Sequence, residues 1–281
     1  TFTPDGKEIY FGKNIGTSTF STILFCKETE EGWTQAEVVP FAQNPEFIFI
    51  EPFVSPDGER LFFVTNKGNE FTATNRFVTD IWVAERENNF WGEPSKLDST
   101  INSADSEFFP TVAENGNLYF ARENAETREG FIYKSEFQNG KSQKPEKLPV
   151  EVNAGLARFN ATIAKDESFI IIPTFGMPDS YGATDYYISF FDKGKGWSNP
   201  LNLGEKINTP GGNEYSASFS PDGKYFFFMS TRSEPSMKEK LTLDNLVKMH
   251  NTPENGNSNI YWVKAGFIAD LKEKATFTEN E

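Results

Sequence analysis

Two short series of residues recur at fixed distances ahead of a turn that repeats along the chain, and they hold most of the side chains able to do chemistry. Eight positions before the aligned turn residue stand Phe49, Glu107, Arg158 and Glu214, and six before it stand Glu51, Phe109, Asn160 and Ser216. Brought to one place, carboxylates beside an arginine bind a cation, a sugar or a peptide amine. Carboxylates facing one another across a sugar can serve as acid and base, or acid and nucleophile, in glycoside hydrolysis. The plainer arrangement is a solvated channel lined with polar groups that bind nothing in particular.

Other chemistries lack their residues. His250 is the single histidine and no Gly-x-Ser-x-Gly element accompanies it, so a serine triad has no frame. Cys26 is the single cysteine, which excludes an internal disulfide and leaves no set of His and Cys ligands for zinc. No Gly-x-x-x-x-Gly-Lys-Ser/Thr loop is present to cradle a phosphate. No metal or cofactor is implied. The formal charge of −14 repels phosphate backbones and anionic lipid, so nucleic acid is not an expected partner. No apolar run reaches the roughly 18 residues that span a bilayer.

The elements that must position these side chains follow from an internal repeat. Phe53-Val54-Ser55-Pro56-Asp57-Gly58 recurs as Phe219-Ser220-Pro221-Asp222-Gly223 and as Phe2-Thr3-Pro4-Asp5-Gly6, each followed by an apolar run. Weaker copies surround Asn115 and Asp166. Aligned on Asp5, Asp57, Asn115, Asp166 and Asp222, the spacings are 52, 58, 51 and 56. Pro presets φ at the second turn position, Asp suits the third, and Gly takes the left-handed φ that follows, so each copy reads as a tight hairpin. Lys165-Asp166-Glu167 replaces Pro-Asp-Gly in the fourth copy, which predicts a different turn geometry there. A third strand follows each hairpin, clearest at Asp80-Ile81-Trp82-Val83, Asp185-Tyr186-Tyr187-Ile188 and Asn259-Ile260-Tyr261-Trp262-Val263. An aromatic-to-proline element such as Trp91-Gly92-Glu93-Pro94 or Trp197-Ser198-Asn199-Pro200 then leads into a fourth. Four strands in about 50 residues is the size of a propeller blade. The fold expected is an all-β, single-domain β-propeller with five repeats visible, at approximately 1–48, 49–104, 105–154, 155–211 and 212–272. The last unit lacks a clear fourth strand unless Phe267 to Leu271 provides one, and the chain opens in mid-strand, so the natural start is expected upstream.

The Ser-Pro-Asp-Gly turn, the aromatic pair after it and the Asp-Ile-Trp or Asn-Ile-Tyr third strand resemble the TolB-type, WD-repeat-like bacterial propellers. The resemblance covers nearly the whole chain. It implies a periplasmic or cell-envelope location, and, since such propellers usually have six blades where five repeats are visible here, a blade count of five or six. It is nearly silent on activity, because such repeats occur in binding proteins, in envelope complexes and as gating domains of peptidases.

Within that frame the Pro-Asp-Gly turns lie on one face, and the long second-to-third loops, roughly 66–79, 122–130, 175–184 and 233–258, lie on the other. Glu51, Glu107, Arg158, Asn160, Glu214 and Ser216 are expected to converge at the channel mouth on the long-loop face and to bind a ligand there. Arg122, Arg232, Asp80 and Asp185 read as ties between strands, and Trp33, Trp91 and Trp197 as packing between blades. A short helix near 236–250 is expected, capped by Thr242, with Leu243, Leu246 and Val247 as its apolar stripe. The function expected is a monomeric, non-catalytic binding or scaffold propeller that takes a protein partner or a small polar or carbohydrate ligand. The alternative is a carbohydrate-active enzyme, a glycoside hydrolase or lyase, using the channel-mouth carboxylates.

Overall fold

A computed structural model describes residues 1–15, 20–69, 78–88, 90–233 and 240–278. Its five antiparallel sheets follow one another in chain order as the blades of a β-propeller. The second blade shows the full pattern: inner strand Phe49–Val54, then Arg60–Thr65, Asp80–Glu87 and a short outer strand Ser95–Lys96. The third repeats it with Ser106–Val112, Leu118–Glu123, Gly130–Ser135 and Glu146–Lys147. In the fourth the inner strand is split into Ala157–Arg158 and Thr162–Ile163, both paired with Phe169–Phe175.

Four hydrophobic clusters join successive blades. Tyr10, Ile23, Phe49 and Phe63 fill the space between the first and second blades, and Ile171, Tyr186, Phe226 and Phe228 that between the fourth and fifth. The other two clusters join the second blade to the third and the third to the fourth. Ile, Val and Leu side chains mix with Phe, Tyr and Trp rings in these clusters, which fill the roughly 10 Å between packed sheets.

All five hairpin turns share one geometry. The N–H of Gly6, Gly58, Gly116, Glu167 and Gly223 donates to the carbonyl three residues earlier at 2.8–2.9 Å. Gly6, Gly58, Gly116 and Gly223 have φ between 69° and 87°, and Glu167 has φ of 60°. The different geometry expected for Lys165-Asp166-Glu167 is therefore not adopted. Glu167 takes the left-handed position, which costs a side-chain-bearing residue about 1 kcal/mol. Its carboxylate is held by Asn115 Nδ2 at 2.7 Å, Asn117 Nδ2 at 2.8 Å, Tyr119 Oη at 2.5 Å and Lys134 Nζ at 3.1 Å. Those contacts tie the fourth turn to the third blade and offset the backbone cost.

The first and fifth blades depart from the pattern. In the first, Glu8–Ile15, Phe20–Thr29 and Glu37–Val38 form the sheet, with an inner-strand stub at residues 1–3 bridged from Phe2 to Ile9. In the fifth, Glu214–Phe219, Tyr225–Ser230 and Asn259–Lys264 are followed by the helix Phe267–Lys272. The fourth strand considered at Phe267 to Leu271 is thus a helix. Phe267, Ile268 and Leu271 fall on one helical stripe and pack on the core between the fourth and fifth blades.

The insertion helix forms over Leu243–His250, and the Thr242 hydroxyl accepts from Asn245 N at 3.2 Å. Residues 236–239 of the expected helix, and much of the 66–79 loop, lie outside the described residues. None of the helix is buried, and Leu243, Leu246 and Val247 are all exposed. Trp91 and Trp197 pack between blades as expected, whereas Trp33 is 48% exposed.

Candidate functional site at the propeller axis

The inner strands are interrupted at one equivalent place in each of four blades. Pairing slips between Ile50 and Phe53, between Phe108 and Thr111, and between Tyr215 and Ser218, and the fourth blade breaks around Asn160. Glu51, Phe109 and Ser216 carry left-handed φ of 57°, 46° and 63°. Such bulges re-aim a side chain away from the strand's ordinary alternation.

The consequence is a network across the axis. Asn160 Nδ2 donates to Glu51 Oε1 at 3.1 Å and to Ser216 Oγ at 2.8 Å. Phe109 N donates to the other Glu51 oxygen at 2.7 Å. One carboxylate, one amide, one hydroxyl and one backbone N–H thus link the second, third, fourth and fifth blades. Burial pushes the Glu51 carboxyl up to about 7, and the bonds from Phe109 and Asn160 only partly oppose it.

The residues eight before the turn go elsewhere. Glu107 is fully buried, receiving Arg122 Nε at 2.7 Å, Ser103 Oγ at 2.6 Å and Ser103 N at 3.2 Å. Glu214 is equally buried and receives Thr209 Oγ1 and Ser230 Oγ, both at 2.7 Å. Burial raises both carboxyls above the usual carboxylate range despite these donors. Arg158 donates to the carbonyls of Ala154, Gly130 and Gly155 and lies 5.0 Å from the centre of the Phe131 ring. Of the six expected site residues, Glu51, Asn160 and Ser216 meet at the axis, while Glu107, Arg158 and Glu214 are each bound to nearby loops and strands.

Arg122 and Arg232 are ties, as expected: their guanidinium groups donate to the carbonyls of Ile101 and Ile207 at 2.7 and 2.8 Å. Asp185 accepts from Tyr181 N, Gly182 N and Asn202 Nδ2, and Asp80 pairs with Lys96 at 2.6 Å. A further set of ties has a signature in the sequence. Asn102, Asn153 and Asn208 each follow Ile or Val at the entrance to an inner strand. Each side chain bonds both the N–H and the carbonyl of one residue on the preceding blade's third strand: Ile81, Ile132 and Tyr186.

A cavity of about 750 Å³ opens on the face of the Pro-Asp-Gly turns. Phe53, Thr162 and Ser218, two positions nearer the turn than the axial network, line its inner part, and Phe169, Phe219 and Ile268 supply apolar wall. Lys165, Asp166, Asp222 and Lys272 stand among its charged lining residues. The Asp166 and Asp222 carboxylates cap their own turns, accepting from the Ser168 and Ser220 hydroxyls at 2.6 Å.

Comparison with known proteins bears on the fold. No family model matches the chain, and no curated protein does. The α-L-arabinofuranosidase from Lactobacillus brevis is similar in structure, with 11% identity and a TM-score of 0.54, over 92% of this chain and 86% of that one. Hydrazine synthase from Kuenenia stuttgartiensis is similar over 93% of this chain and 36% of that one, with 11% identity and a TM-score of 0.51. Prolyl oligopeptidase B from Galerina marginata is similar at 13% identity and a TM-score of 0.45, over 82% of this chain and 30% of that one. At these identities the likeness is one of fold, and the chemistry rests on the residues themselves.

Proposed function

We propose that the chain is a non-catalytic binding propeller of a bacterial cell envelope, taking a small ligand or a peptide segment of a partner in the cavity on its turn face. The envelope setting comes from the resemblance of its repeats to TolB-type propellers. The observation that carries the reading is the fate of the candidate acids. Glycoside hydrolysis needs two carboxylates flanking one substrate bond, about 5–9.5 Å apart. Glu107 and Glu214 are sealed into their own blades, Glu107 held by Arg122 and Ser103, and Glu214 held through one oxygen by Thr209 and Ser230 while its other oxygen is buried without a hydrogen-bond partner. Glu51 is engaged across the axis by Phe109 and Asn160. None of the three lines the large cavity.

The cavity has the size and character of a ligand site, with apolar walls and a few polar groups. This moves the expected binding face from the long loops to the turns. A screen of soluble glycans and short peptides tests the reading. A ligand should bind the wild type without being consumed, and Ser218→Trp, which fills the cavity, should weaken binding at least about tenfold. A ligand that still binds the folded Ser218→Trp variant with undiminished affinity would show that the cavity is not the site.

A further inference from the structure

Two equivalent places between blades carry matching acids, and one of them is short of a positive charge. Where the second blade meets the third, Asp80 opens a third strand and Glu107 lies on the next inner strand, its N–H donating to the carbonyl of Thr79 at 3.0 Å. Each carboxylate there has its own cation: Lys96 Nζ lies 2.6 Å from Asp80, and Arg122 Nε 2.7 Å from Glu107. The same place between the fourth and fifth blades holds Asp185 and Glu214, which directly follow the bridged pair Thr184 and Asn213. Both are fully buried. The strand register puts Asn202 at the position of Lys96 and Ser230 at that of Arg122. Asn202 Nδ2 donates to Asp185 at 3.1 Å and Ser230 Oγ to Glu214 at 2.7 Å, so neutral donors stand where the two cations stood. Arg232 supplies a positive charge at one remove, its Nε donating to Ser230 Oγ at 3.3 Å. Two carboxylates against one guanidinium leave one negative charge uncompensated. Burying such a charge is costly unless it finds a partner.

The uncompensated charge has a location. Glu214 Oε2 is buried without a hydrogen-bond partner, and so is Tyr186 Oη. The two groups feel one another: burial raises the Tyr186 hydroxyl well above its ordinary value, and Glu214 adds to the shift. Burial likewise raises the Glu214 carboxyl, with Asp185 adding to the effect and Arg232 opposing it. The counterparts of Tyr186 in the second and third blades are Ile81 and Ile132, which offer no polar side-chain atom. Asp80 also keeps one unpartnered oxygen, but there the charges balance. Two glycines let the loops close over the place. A Cβ on Gly182 would collide with Gly212 O, and one on Gly212 would lie 2.7 Å from Glu214 Oε1. We propose that Glu214 Oε2 and Tyr186 Oη bind an alkali cation, sodium or potassium, between the fourth and fifth blades. Every group offered is an oxygen, which suits a hard ion. A single charge to be balanced suits a monovalent one. The ion fastens the fifth blade to the fourth, as the side chain of Lys96 completes the charge balance between the second and third.

The test is urea unfolding of the 281-residue protein, with sodium or potassium chloride replacing choline chloride at constant ionic strength. An ion that binds the folded chain alone raises the midpoint along a saturating curve. Glu214→Gln removes the charge and should abolish the rise. Asn202→Lys gives Asp185 the partner that Asp80 has, and should make the midpoint indifferent to either ion. Tyr186→Phe should weaken the apparent ion affinity several-fold, which keeps the proposal testable if the glutamine variant does not fold. Equal midpoints in sodium, potassium and choline would overturn it. So would an ion dependence that persists unchanged in the folded Glu214→Gln and Asn202→Lys variants. A midpoint that responds to pH but to neither ion would show that Glu214 carries a proton instead, and would overturn it as well.

Discussion

Glu51 is an ionisable group at the axis whose proton is held more tightly in the folded chain than in the unfolded one. Its carboxyl titrates at about 7 when folded, against an ordinary value of 4.5, and burial is the cause. A raised acid favours folding when protonated, so its contribution is full below the unfolded value and is lost as pH climbs through the folded one. Stability should therefore fall between about pH 4.5 and 7, by on the order of 3 kcal/mol from this group. Glu51→Gln removes the charge. Denaturant midpoints should nearly coincide for the two proteins at pH 5, with the variant more stable at pH 8; a gap that does not change with pH would refute this. The turn residue Glu167 gives a second expectation. Glu167→Ala keeps the left-handed backbone cost and releases Asn115, Asn117, Tyr119 and Lys134, a loss of roughly 2–4 kcal/mol. Glu167→Gly loses the same contacts but relieves the backbone, so urea unfolding should rank it about 1 kcal/mol above the alanine variant.

At the scale of elements, the strand entrances are fixed by the asparagine ties. Replacing Asn102, Asn153 or Asn208 by Ala leaves a buried N–H and carbonyl of the neighbouring third strand unpaired. Each change should cost about 2–4 kcal/mol in equilibrium unfolding. Asn44 stands at the corresponding place before the second blade but bonds only Glu46 N, at 2.9 Å, so Asn44→Ala should cost under about 0.5 kcal/mol. Equal losses at all four positions would contradict the role assigned to the ties. These entrances also show what the sequence could reveal. The hairpins were readable because turn chemistry is local: Pro, Asp and Gly each impose their own torsion. The ties could have been read from the Ile-Asn and Val-Asn pairs. The convergence of the site could not. Positions eight and six before the turn share a face in a regular strand, so Glu107 and Glu214 were expected beside Asn160 and Ser216. The left-handed residues at Glu51, Phe109 and Ser216 break that alternation, and a bulge away from a turn leaves no signature in residue type. Phe267 to Leu271 was ambiguous for a related reason, since a short apolar run fits a strand or a helix until its packing partner is known.

Across the whole molecule, rigid packing and accessible chemistry lie in different places. The aromatic clusters and buried Glu107, Arg158 and Glu214 build the wheel, the axial network crosses it, and the large cavity lies on the turn face. The repeat count and the polarity of turns against long loops came through from sequence, because every copy states them again. The acids are expected to serve structure and binding, not bond cleavage. The most direct measurement is turnover across a broad panel of glycans by the wild type and by Glu51→Gln, Glu107→Gln and Glu214→Gln, each first shown to be folded. The prediction is no turnover by any of the four, with Glu107→Gln and Glu214→Gln altered in stability alone. Robust hydrolysis by the wild type that disappears in a folded glutamine variant would contradict it.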